Sequence, residues 1–131
     1  MPYLLDTSVF LRALIAPERL NPGARRLLSD ESDSLFLSAA TSWEIVIKCA
    51  LGKLVLPDTP ATWVVSCMRQ LGVQSLDITH SHSFELIGLP KHHQDPFDRI
   101  LIAQARHENM ALLTTDRIFQ KYPVEVILCG A

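Results

Sequence analysis

Short apolar runs alternate with amphipathic stretches along the chain, and these two patterns define its elements. Tyr3-Leu4-Leu5 is an apolar run that stops at Asp6. It predicts a strand, then a helix over residues 8–16 that Asp6 or Thr7 can cap. Pro17, Pro22 and Gly23 break the pattern before a second helix ending near Ser29. Residues 34–38 alternate as a strand does. Over 39–51 the apolar residues Trp43, Ile47 and Leu51, with Val46 and Ala50, recur at helical spacing until Gly52. Pro57 and Pro60 mark a loop, and Thr59 can cap a helix over 61–71 that ends at Gly72. A third strand is expected over 73–78 and a helix over 80–89, stopped by Pro90. The polar loop Lys91-His92-His93-Gln94 leads into a strong helix over 96–108. A strand at 111–114, a short helix at 116–122 and a strand at 124–128 follow.

Five strands alternating with helices predict an α/β fold with a parallel sheet covered on both faces. The helical stretch between the second and third strands is longer than one crossover needs. It predicts a projecting helical arm, on which Trp63, Val64 and Met68 either serve a partner or belong to the core.

With 131 residues the chain reads as one domain, 1–131, able to bury a core without staples. No apolar run is long enough to span a membrane, and the start lacks the basic and apolar regions of a signal peptide. Cys49, Cys67 and Cys129 are odd in number, widely spaced and set among apolar neighbours. They read as small core residues of a cytoplasmic protein, without a Cys-x-x-Cys metal pattern. The net charge of −2 and pI near 6.2 give no basic footprint of the kind nucleic-acid binders usually carry.

Candidate chemistry lies in four acids. Asp6, Glu44, Asp98 and Asp116 each fall just after a predicted strand end or near a predicted helix start. Open α/β sheets place their sites at the carboxyl ends of the strands. Two carboxylates 4 Å apart repel by about 4 kcal/mol at an effective dielectric near 20. Four gathered there call for a divalent cation such as Mg²⁺ or Mn²⁺, and so for phosphate-ester chemistry. Each acid also has a local reading. Asp6 and Asp116 can cap the helices that follow them. Glu44 fits a capping box with Thr41, or an ion pair with Lys48 four residues on. Asp95, before Pro96, suits the cap of its helix better than a ligand role, which leaves Asp98 to face the site. Thr7, Ser8 and Thr115 are candidate hydroxyl donors around the acids, and Arg99 a candidate phosphate contact or structural partner. His92 and His93 are adjacent, so at most one faces the site. His80, His82 and His107 have no metal-site spacing.

In Leu5-Asp6-Thr7-Ser8, Ser42-Trp43-Glu44-Ile45, Leu51-Gly52-Lys53-Leu54, Asp95-Pro96-Phe97-Asp98-Arg99 and Leu113-Thr114-Thr115-Asp116 the chain resembles PIN domains of the VapC toxin type. The resemblance runs in order along nearly the whole chain. It implies a three-layer α/β/α sandwich and a metal-dependent endoribonuclease. Asp6, Glu44, Asp98 and Asp116 match the family's acidic positions, and the additional Asp95 is the one departure. It also implies a cytoplasmic toxin that dimerises and is held by a cognate antitoxin. Two rival expectations remain. A haloacid-dehalogenase-like phosphatase also places an aspartate after its first strand, but it wants a second one where Ser8 stands. A catalytically silent module could keep the acids only to bind RNA or an antitoxin.

Overall fold

Successive residues of the central strands point to opposite faces of the sheet, and this period divides the core in two. The computed structural model describes residues 2–31 and 34–131. Its strands are β1 Pro2–Leu5, β2 Ser34–Ser38, β3 Gln74–Leu76, β4 Ala111–Thr114 and β5 Val126–Leu128. All pairings are parallel, in the order β3-β2-β1-β4-β5. Leu5, Leu37 and Leu113 enter one apolar cluster with Val9 and Phe10. Their neighbours Leu4 and Leu112 enter the other, with Leu101, Ile102 and Phe119. Each such buried side chain stabilises the fold by roughly 1.5–3 kcal/mol relative to exposure.

Among the described residues the helices are α1 Thr7–Ile15, α2 Pro22–Ser29, α3 Ala39–Ala50, α4 Pro60–Leu71, α5 His80–Glu85 and α6 Pro96–His107. Residues of α1, α2 and α4 pack into the first cluster and α6 into the second, which makes the expected α/β/α sandwich. Helix α3 reaches both clusters through Ile45 and Ala40. Strand order reverses at β1, which lies between β2 and β4. That reversal opens a crevice at the carboxyl ends of β1 and β4, the usual ligand position in such sheets.

Four expectations need correction. The edge strands β3 and β5 are shorter than 73–78 and 124–128, because each pairs on one side only, over three residues. The stretch 80–89 divides into α5 and a 3₁₀ turn, Leu86–Gly88, and 116–122 is the 3₁₀ segment Arg117–Lys121. The projecting arm is not found in the form expected. Val64 and Cys67 of α4 are buried in the core, and Trp63 packs edge-on against Phe10 with ring centroids 6.1 Å apart. Finally, the stripe Trp43, Val46, Leu51 faces outward, while the buried face of α3 is Ala40, Thr41, Glu44 and Ile45. Two polar residues on the buried face hid it from an apolar-period reading.

Candidate active site

Asp6 extends β1 by one residue, its amide donating to Leu113 O at 2.9 Å. Its carboxylate is buried. One oxygen accepts from Val9 N at 3.0 Å, which caps α1, and from Ser8 Oγ at 2.6 Å. The other accepts from Thr114 Oγ1 at the end of β4. Ser8 Oγ also lies 2.9 Å from Thr115 Oγ1. Burial pushes the Asp6 pKa above its ordinary value, against these hydrogen bonds, which pull it down.

Glu44 reaches the same crevice from α3. Ser38 caps that helix, accepting from Ala40 N at 3.0 Å, so the capping box on Thr41 does not form. Glu44 therefore lies in the second turn, buried, with one oxygen accepting from Thr7 Oγ1 at 2.6 Å. The other pairs with Lys48 Nζ at 2.9 Å, as the spacing allowed.

At the start of α6, Asp95 takes the cap as expected, and Asp98 lies in the first turn. Asp95 Oδ1 accepts from Phe97 N at 2.8 Å and is the cap. The Asp98 pKa is pushed up to about 7, first by burial and then by the charges of Asp95, Asp6, Glu44 and Asp116. Three acids from three other parts of the chain thus act on one carboxyl group. Asp116 caps the 3₁₀ segment through Ile118 N at 2.9 Å and turns its other oxygen to His93 Nε2, 3.0 Å away. For Asp6 and Asp116, capping and facing the crevice are compatible roles, not alternatives.

His93 is the residue that sequence reasoning undervalued. Its Nδ1 stands 3.9 Å from Asp98 Oδ2, so the ring lies between two of the acids. Its amide donates to Tyr122 Oη at 2.6 Å and its ring meets Phe119 edge-on at 5.0 Å. Thr114 was passed over for Thr115, although Thr114 is the direct donor to Asp6. The signal was its place as the last residue before the strand end. Arg99 donates to Pro90 O at 2.8 Å and so braces the loop that carries His93.

The donors around the crevice are carboxylates and hydroxyls, hard oxygen ligands that suit Mg²⁺ or Mn²⁺. Their mutual repulsion at Asp98 is what a cation would relieve, so the residues present fit such an ion. Among the described residues no three His, Cys, Asp or Glu side chains converge closely enough to chelate one ion as they stand. Binding would require side-chain rotation.

The PIN domain model matches residues 3–125, a span that contains all four acids. Over 59 residues the chain is 41% identical to Ribonuclease VapC16 of Mycobacterium tuberculosis, a match covering 45% of this chain and 42% of that protein. The match thus covers less than half the length of that curated relative. A chain of VapBC2 from Rickettsia felis, solved bound to a DNA fragment from their promoter, has a TM-score of 0.75 at 15% identity. That likeness covers 99% of this chain and 100% of the other. DNA-bound VapBC from Salmonella typhimurium gives 0.68 at 16% identity, over 97% of each chain. At those identities the structures speak for the fold. The family model covers residues 3–125, nearly the whole chain, and the chain belongs to the PIN domain family.

Proposed function

We propose that this chain is a metal-dependent endoribonuclease that hydrolyses RNA phosphodiester bonds as the toxin of a toxin–antitoxin pair. The observation that carries the reading is geometric: Asp6 after β1 and Glu44 of α3 are buried and joined through the first turn of α1, and the His93 ring lies 3.9 Å from Asp98 and 3.0 Å from Asp116. Asp6, Glu44, Asp98 and Asp116 would hold Mg²⁺ or Mn²⁺. Bound there, the cation would lower the pKa of a water nucleophile and stabilise charge developing on the phosphate. The chain's own contribution is orientation. Thr114, Ser8 and the Val9 amide fix Asp6, Thr7 and Lys48 fix Glu44, and Thr115 supports Ser8. Such outer partners set ligand orientation and affinity.

The partner part of the reading rests on relatives and on one surface. The structures likened to this chain include VapBC complexes. Trp43 and Val46 are 59% and 50% exposed on α3, and Leu51 just after it is 63% exposed, apolar surface that supports a homodimer. No helix among the described residues is long and apolar enough to cross a membrane. The phosphatase alternative is disfavoured, because Ser8 donates to Asp6 where that chemistry wants a second acid.

The test is cleavage of total cellular RNA with Mn²⁺, with and without EDTA, followed by mapping of the cut ends. Cleavage lost on chelation and in Asp6→Asn is the expected result. Hydrolysis of a phosphate monoester with RNA left intact would favour the phosphatase, and RNA binding without cleavage the silent module.

A further inference from the structure

The loop 90–95 is pinned at three points: Arg99 holds Pro90 O, Tyr122 Oη holds the His93 amide, and Asp95 caps α6. A loop fixed this way presents one side chain to the crevice with little freedom. That side chain is His93, 14% exposed, with its ring stacked on Tyr122 and edge-on to Phe119. One ring nitrogen is 3.0 Å from Asp116 and the other 3.9 Å from Asp98. Nε2 is buried, and its approach to Asp116 is not aligned as a hydrogen bond, so it has no bonded partner among the described residues. A small turn of the Asp116 carboxylate would align the two.

These two acids come from separate elements, α6 and the cap of the 3₁₀ segment after β4, and no direct hydrogen bond between them is present to fix their separation. From this geometry we propose that His93 is a positioning residue that sets the spacing of Asp98 and Asp116, and through it the cation affinity of the crevice. It rests on the metal-dependent reading above. A histidine present only to fill space would be served equally by any planar ring against Phe119 and Tyr122. The ring nitrogens facing two carboxylates are what packing does not require.

The test separates ring from nitrogens. His93→Phe keeps the aromatic contacts and removes both nitrogens, whereas His93→Gln keeps an N–H donor. Mn²⁺ affinity is measured by titration calorimetry without RNA. His93→Phe should weaken it about tenfold or more, the usual scale for losing an outer partner of a metal ligand, and His93→Gln should recover part of the loss. In an Asp116→Asn background, His93→Phe should add much less, since the residue acts through Asp116. Under saturating Mn²⁺ the KM for RNA should stay near that of the natural chain. Equal Mn²⁺ affinity in His93→Phe and the natural chain would overturn the positioning role while leaving the metal reading intact. A natural chain that binds no Mn²⁺ would overturn both. If His93→Phe does not fold, His93→Gln and His93→Asn decide, and Mn²⁺ affinity unchanged in both overturns the proposal.

Discussion

Thr7 Oγ1 donates to Glu44 Oε1 at 2.6 Å, joining the first turn of α1 to the second turn of α3 beneath the crevice. Thr41 Oγ1 lies 3.1 Å from the same hydroxyl. With Lys48 on its second oxygen, Glu44 is a buried carboxylate with both oxygens engaged. Burying a polar group costs free energy unless its hydrogen-bonding atoms are engaged, and here both oxygens are engaged by the chain itself.

Thr7→Val keeps the shape of this contact and deletes its donor. Hydrogen bonds to charged groups contribute about 1.5–3 kcal/mol, and the loss should approach that range. Thr7→Ser should lose far less. Urea unfolding of the three chains checks it, and a Thr7→Val midpoint equal to that of the natural chain would show the bond to be dispensable.

The sheet and the acids were legible in the sequence for the same reason. Strand ends such as Leu5-Asp6 and Leu113-Thr114 combine an abrupt change of polarity with helix-start chemistry, and both signals are local. What was not legible depended on contacts far apart in the chain. The buried face of α3 carries Thr41 and Glu44, polar only because Thr7 lies opposite. Trp63 is half-buried because Phe10 of α1 meets it. His93 gained its place from Tyr122 and Phe119, which nothing in the run Lys91-His92-His93-Gln94 announces.

Asp95 and Asp98 should part in a mutational test. Asp95→Ala removes a cap and should cost about 1 kcal/mol while leaving RNA cleavage largely intact. Asp98→Asn should leave the fold in place and nearly abolish cleavage. Because Asp95 has the largest charge effect on Asp98, after burial, Asp95→Asn should also let Asp98 ionise at lower pH. Parallel melts and cleavage assays would contradict this division if Asp95→Asn were the inactive chain and Asp98→Asn the active one.

Asp98 also predicts a pH dependence for the chain in EDTA. Its carboxyl is raised from 3.8 to about 7 in the fold, so the folded chain keeps a proton that the unfolded chain releases. Stability should be fully present below pH 4 for this group and fall as pH rises towards 7. Asp98→Asn removes the slope. At pH 8 it should be more stable than the natural chain by roughly 1–3 kcal/mol, less than the full shift implies because solvent screens this partly exposed carboxyl, and the gap should close near pH 4. Melting curves at the two pH values measure it, and a gap that widens on acidification would reverse the sign.

Metal binding should register as stability without any RNA. A cation at a hundredfold excess over its dissociation constant stabilises a folded chain by about 2.7 kcal/mol. Mn²⁺ should therefore raise the melting temperature. Asp6→Asn should lose most of that rise and still fold. Asparagine caps a helix as well as aspartate does, so the bond from Val9 N is kept. Its amide can donate to Thr114 Oγ1, since a hydroxyl accepts as readily as it donates. Burial already opposes the Asp6 charge, so the metal-free variant should melt no lower than the natural chain. Calorimetric scans with Mn²⁺ and with EDTA test both halves. An equal rise in the two chains would place the cation away from Asp6, and a variant that melts far lower without metal would make Asp6 chiefly a structural residue.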